Sequence, residues 1–233
     1  MNKKKQNTKE KNKPSKSRKS SNGMTFHIIT LFPNAFDSYL GESIIKRAKD
    51  DGKIKIKFYN PRDFADDKRK RVDQKPYGGG PGMVMQALPV VKAVEKARGK
   101  KKLKVVLLSP RGKQFTNKDA EKFSKSKNDI VLISGRYEGI DARVKKILKP
   151  AEYSIGPYTL TGGELPAMIL IDAISRRIKG VLGDFQSVEE KRVAGRDVYT
   201  RPETFIHKKK KYKVPKVLLS GHHKKIDEWR GWK

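Results

Sequence analysis

Two stretches, Ile133-Ser-Gly-Arg-Tyr-Glu-Gly-Ile-Asp141 and Ser154-Ile-Gly-Pro-Tyr-Thr-Leu-Thr-Gly-Gly-Glu-Leu-Pro-Ala-Met168, decide the fold class. Each opens at the end of a short predicted strand, apolar Ile130–Ser134 and the more mixed Glu152–Ile155, and passes through glycine before helical spacing resumes at Ile140–Leu148 and Glu164–Ile178. Short apolar runs bounded by turn residues are the mark of buried strands. Working outward, the same rhythm recurs. A strand is predicted at Thr25–Leu31, helix around Phe36–Lys49, a turn at Asp51-Gly52 and a half-exposed strand at Lys53–Tyr59. A long loop, Asn60–Met85, is followed by a helix at Ala87–Arg98, a strand Leu103–Leu108 ending in Ser109-Pro110, and a polar helix at Asn117–Ser126. Strands alternating with helices predict an α/β domain built on a mostly parallel sheet.

Ligands of parallel α/β sheets bind beyond the carboxyl ends of the strands. Three such ends carry small, backbone-exposing residues, namely Ser109-Pro110, Ser134-Gly135 and Ile155-Gly156, and Gly162-Gly163 precedes the long helix. Bare backbone at these points suits a flat ligand such as adenine, held by main-chain N–H and C=O groups. The common phosphate cradles are absent: the chain has neither G-x-x-x-x-G-K-[ST] nor a G-x-G-x-x-G after its first strand. The cluster Gly78–Gly82 lies in the long loop, where turn and ligand site are both open readings.

Lys and Arg number 56 against 25 acids, a formal charge of +31, and a polyanion is the natural counter-charge. Residues 1–22 hold nine of these bases and one acid, with no apolar residue after Met1, so a disordered basic tail is expected there. Either the tail is a passive extension ahead of Met24 or it is an arm that adds RNA affinity. The remainder keeps about +23, so the basic character does not depend on the tail. With no cysteine the chain has no disulfide or thiolate metal site, and a cytoplasmic setting is expected. His27, His207, His222 and His223 show no zinc-ligand spacing, so no metal site is expected. No apolar run is long enough for a bilayer. Composition divides the remainder into an α/β domain over 23–182, a polar linker over 183–198 and a small terminal unit over 199–233.

The chain resembles the bacterial tRNA (guanine-N1)-methyltransferase family, TrmD, of the SPOUT superfamily. The resemblance rests on Pro76-Tyr-Gly-Gly-Gly-Pro-Gly-Met83, Leu107-Leu-Ser-Pro110, Gly135-Arg-Tyr-Glu-Gly-Ile-Asp141, Ser154-Ile-Gly156, Leu160–Met168, Tyr199-Thr-Arg-Pro202 and Val217-Leu-Leu-Ser-Gly221, in the family's order. It implies an α/β fold of SPOUT type: a trefoil-knotted parallel sheet with flanking helices, plus a small, shortened C-terminal helical unit. It implies a homodimer with shared active sites, and methyl transfer from S-adenosylmethionine to N1 of guanosine 37 in tRNA. The cofactor contacts it implies are Gly135 and Ile155, Gly156, Pro157, Tyr158, Thr159 and Leu160, with Ser109, Pro110, Gly162 and Gly163 nearby. Pro157 stands where an acid is common. Glu138 would hold the methionine amino group or a Mg2+ ion, or else be a solvated loop acid. Arg176 matches the family's essential arginine, whose charge would face guanine O6; its other reading is an i,i+4 surface pair with Asp172.

Two departures qualify this expectation. Lys191 occupies the position of the family's general-base aspartate, and the linker is shorter than usual. Glu190 and Asp197 are the candidate replacements, with Glu189 close by. Two alternatives therefore stand beside methyl transfer at guanosine 37: a catalytically silent tRNA-binding protein, or a related SPOUT enzyme acting on another RNA. The chain also stops at Lys233, soon after Trp229-Arg230, and the basic loop Lys208–Lys213 is expected to hold tRNA phosphates in compensation.

Overall fold

The computed structural model describes residues 23–126, 128–182 and 197–231. The basic tail, most of the linker with Glu189, Glu190 and Lys191, and Trp232 fall outside them.

The chain enters through β1 (Met24–Ile29), a 3-10 turn (Pro33–Phe36), α1 (Asp37–Leu40), α2 (Ser43–Asp50) and β2 (Ile54–Tyr59). A second 3-10 turn (Pro61–Phe64) and the short antiparallel pair β3 (Asp73–Gln74) and β4 (Val84–Met85) follow. Then come α3 (Ala87–Arg98), β5 (Lys104–Gln114), α4 (Asn117–Ser124), β6 (Ile130–Ser134), α5 (Arg143–Leu148), β7 (Ala151–Ser154) and α6 (Glu164–Ser175). The terminal unit holds β8 (Thr204–His207), β9 (Lys210–Lys213), α7 (Lys216–Leu219) and α8 (His223–Arg230).

Five strands form one parallel sheet in the order β2-β1-β6-β5-β7. Because strand side chains alternate between faces, a sheet covered on both sides needs unbroken apolar strands. On β6, Ile130 and Leu132 enter the core shared with α2, α4 and α6, while Val131 and Ile133 enter the core shared with α3 and α5. On β5, Val106 and Leu108 face the first core, and Val105 and Leu107 the second. Burying each such side chain contributes roughly 1.5–3 kcal/mol.

Three expectations need amending. The single helix around Phe36–Lys49 is a 3-10 turn and two short helices, because the Gly41 N–H closes back on the Asp37 carbonyl and ends α1. The long loop contains the β3–β4 pair. Most consequential for the site, β5 does not stop at Ser109-Pro110. It leaves its partner there, since proline has no N–H to donate, and rejoins β7 further on, so that Tyr153 lies opposite both Leu108 and Lys113. At Gly112 the excursion presses against the Tyr153 backbone, where an added Cβ would come within 2.6 Å.

A capping box starts α4: the Thr116 hydroxyl accepts from the Asp119 N–H, and the Asp119 carboxylate accepts from the Thr116 N–H. Lys113 Nζ (2.8 Å) and the Tyr153 hydroxyl (3.2 Å) also donate to Asp119, tying α4 to the β5–β7 pair. Burial alone would push this carboxyl up, but the Lys113 and Thr116 hydrogen bonds outweigh it and bring it from the usual 3.8 down to about 2. A carboxyl lowered on folding stabilises above its unfolded pKa, and that contribution fades as pH falls through the folded value. Asp119→Asn should therefore melt below the wild type at neutral pH, with the gap closing between about pH 4 and pH 2. Thermal melts across that range check it; a gap that does not change with pH contradicts the assignment.

Candidate active site

The excursion of β5 around Ser109–Arg111, the carboxyl ends of β6 and β7, and the segment leading into α6 enclose a cavity of about 330 Å³. Its walls include Ser109, Pro110, Gly135, Glu138, Ile155, Tyr158, Thr159, Leu160, Gly162 and Gly163. Ten of the sequence-predicted binding residues thus surround one space. Gly156 and Pro157 are not in the wall. Gly156 is buried behind it, where the Ser154 hydroxyl donates to the Gly156 carbonyl and accepts from its N–H, and Pro157 lies exposed.

Backbone brings the walls together. The Gly163 N–H donates to the Gly135 carbonyl at 2.9 Å and the Ser134 hydroxyl donates to the Gly163 carbonyl at 3.2 Å, locking the start of α6 onto the end of β6. A Cβ on Gly163 would lie 2.6 Å from Ser134 Cα, so only glycine permits this seam. The glycine-rich loop joins the same site: Glu138 N–H donates to the Met83 carbonyl, Met85 N–H to Gly139, and Asp141 N–H to Met85. Gly82, at φ +77°, lies against the Glu138 carboxylate, where a side chain would collide.

Sequence reasoning missed the pair beneath the cavity. Glu164, 3% exposed, accepts from the Thr30 hydroxyl at 2.8 Å and faces Arg136 Nε at 2.9 Å. Arg136 in turn lies over the Phe32 ring and donates to the Thr161 carbonyl. One buried acid thereby connects the end of β1, the loop after β6 and the start of α6. The only available sequence signal was an acid in a helix's first turn, which the helix dipole explains equally well.

Arg176 caps the far end of α6, roughly 18 Å along the axis from the cavity at 1.5 Å per residue. Beside it, Asp172 accepts a hydrogen bond from the Tyr39 hydroxyl. That bond and burial push Tyr39 up to about 12, with the Arg176 charge opposing. Asp197 is exposed in the segment before Tyr199, and Glu190 lies outside the described residues.

The model of the family described as tRNA (Guanine-1)-methyltransferase TrmD matches residues 24–233. The chain belongs to the TrmD family. The tRNA (guanine-N(1)-)-methyltransferase of Clostridioides difficile is 48% identical over 214 residues, covering 89% of this chain and 90% of that protein. The Dictyoglomus turgidum protein of the same name is 48% identical, covering 87% of this chain and 82% of its own length. That of Pseudoalteromonas atlantica is 44% identical, with 88% and 78% covered.

In this TrmD chain the Glu164–Arg136 pair makes a testable support for the cavity. Removing one partner of a buried pair leaves the other charge uncompensated, a loss of about 3–5 kcal/mol. Glu164→Gln keeps the Thr30 hydrogen bond and removes only the charge, so it should lower the melting temperature less than Glu164→Ala does. Both variants should weaken methyl-donor binding more than they slow turnover at saturation. Equal melting of the two, with donor binding unchanged, contradicts the role.

Proposed function

We propose that the protein is a tRNA (guanine-N1)-methyltransferase that takes its methyl group from S-adenosylmethionine and places it on N1 of guanosine 37. The observation that carries this reading is the cavity, whose volume suits a nucleoside-sized ligand and whose walls set the glycines Gly135 and Gly162 beside apolar side chains. The donor fits it. Gly135 and Gly162 would present main-chain groups to adenine, while Gly163, whose N–H and carbonyl are engaged with Gly135 and Ser134, would hold the wall in place. Ile155, Tyr158 and Leu160 would supply apolar wall, and Glu138 would hold the methionine amino group or an accompanying Mg2+. When bound, S-adenosylmethionine supplies an electrophilic sulfonium methyl.

The remaining chemistry falls to the protein. Guanine N1 carries a proton that must leave as N1 becomes nucleophilic, and O6 gathers the resulting charge. The Arg176 guanidinium neutralises O6. Glu190 or Asp197 accepts the proton, because Lys191 cannot do so while protonated. Within one chain Arg176 and the cavity stand at opposite ends of α6, so the arginine that serves a cavity comes from a second copy. The exposed apolar side chains of Leu165 and Ile169 on α6, together with exposed Phe32 and with Tyr39, whose hydroxyl donates to Asp172 on the same helix, support a homodimer that pairs these faces. The path of residues 155–163, from edge strand β7 past the excursion in β5 to Ser134–Gly135 at the end of β6, supports the trefoil knot.

The excess of basic residues supports tRNA as partner, through phosphate contacts from the tail, Lys208–Lys213 and the terminal unit. No helix among the described residues is long and apolar enough to cross a membrane, and we place the enzyme in the cytoplasm with its substrate. Incubation with labelled S-adenosylmethionine and tRNA carrying G36-G37 or A37 tests the reading. Label in the first alone is expected; label in neither favours a silent tRNA binder, and equal label in both favours another target base.

A further inference from the structure

The segment Lys208–Lys213, expected as a basic loop, is the tip and second strand of a hairpin, with Phe205 opposite Tyr212 and His207 opposite Lys210. Alternation places Phe205, His207, Tyr212 and Lys210 on one face and Thr204, Ile206, Lys211 and Lys213 on the other. On the first face the rings adjoin in a row: Phe205 and His207 have centroids 6.2 Å apart with planes 21° from parallel, and Phe205 meets Tyr212 at 5.7 Å and 33°. These rings are open to solvent, Phe205 at 55% and Tyr212 at 51%. Lys208 and Lys209 form the two-residue tip with φ of +45° and +62°, a conformation that ordinarily selects Asn-Gly. Two lysines held there against local preference project charge from the end of the aromatic row.

We propose that the aromatic face of this hairpin is a stacking platform for one unpaired base of the tRNA, with Lys208 and Lys209 holding the adjacent phosphates. This rests on the tRNA reading above and adds to it a site and a mode of contact. Flat exposed rings bind single-stranded bases because every base has a π face, and clustered lysines match the backbone on either side of a splayed base. Five lysines in the six residues from 208 to 213 fit a polyanion far better than a protein surface.

The test uses the full chain, a short single-stranded RNA containing 2-aminopurine, and tRNA. The wild type is expected to quench the 2-aminopurine on binding. The double variant Phe205→Ala with Tyr212→Ala should lose that quench and bind about tenfold more weakly, with an unchanged salt slope. Exchanging the rings, Phe205→Tyr with Tyr212→Phe, should restore both. Lys208→Ala with Lys209→Ala should keep the quench and lower the slope of log affinity against log salt by about 0.7 per lysine. Wild-type quench and affinity in the ring-less variant overturn the platform. So does a ring-less variant that changes only oligomeric state in light scattering, since the face then covers protein. Methyl transfer by the wild type is assayed in parallel: its absence with the quench intact counts against the enzymatic reading alone, and its presence with a stacking-insensitive hairpin counts against the platform alone.

Discussion

Arg176→Ala is expected to lower the turnover number for methyl transfer to tRNA by about 10²–10³-fold, while S-adenosylmethionine binds within a few-fold of the wild type. The asymmetry follows from position. Arg176 lies at the far end of α6 from the cavity of its own chain, so removing it leaves Ser109, Gly135 and Gly163 undisturbed. In the proposed mechanism its charge acts only as O6 gathers negative charge, which makes the expected loss one of turnover and not of ground-state affinity. Arg176→Lys keeps the charge and loses the planar fork, so a partial defect is expected. Single-turnover kinetics with saturating donor, beside a calorimetric binding measurement, separate the two quantities. A variant that turns over normally, or one that loses donor binding to the same extent as turnover, contradicts the role given to Arg176.

Gly163→Ala is expected to reduce S-adenosylmethionine affinity at least a hundredfold and to cost about 1–3 kcal/mol in stability. Its backbone angles are ordinary, so the penalty is purely one of space. The new methyl would sit 2.6 Å from Ser134 Cα and 2.9 Å from Gly135 N, and neither backbone atom can rotate aside. The seam between β6 and α6 must open, and that seam is a wall of the cavity. Gly99→Ala supplies the contrast: no atom lies within 4 Å of its added Cβ and φ is +50°, so it should lose some stability through strain but keep donor affinity. Donor affinity within threefold of the wild type in Gly163→Ala contradicts the account of the seam.

Elements marked by local signals were legible in the sequence. β6 and α3 begin and end at the residues expected, because an apolar run bounded by polar residues and a helix closed by Gly99 carry their boundaries with them. What depended on distant partners was not legible. Pro110 marks the end of a strand by every local rule, yet β5 resumes because β7 offers its edge again beyond the excursion. The hairpin of β8 and β9 was hidden by its lysines, which mask the two-residue period and replace the usual turn residues at the tip. In the site, Gly135, Gly162 and Gly163 could be named in advance, since backbone exposure is a property of residue type, whereas Gly156, named with them, sits behind the wall and Gly139, in the wall, was not named. The buried contact of Glu164 with Arg136 could not, since it exists only once α6 has docked on β6. Lys191 was visible as a departure, but its consequence depends on where Glu190 and Asp197 lie relative to a bound guanine.

The most direct measurement is the identity of the modified nucleoside. A tRNA with G36-G37, incubated with the protein and S-adenosylmethionine, is digested to nucleosides and analysed by mass spectrometry against methylguanosine standards. The expected result is 1-methylguanosine from position 37, absent when that position is adenosine and strongly reduced with Arg176→Ala. A methyl group on another guanine nitrogen or another nucleotide, or no methylated nucleoside while tRNA and donor both bind, would contradict the claim that this chain methylates N1 of guanosine 37.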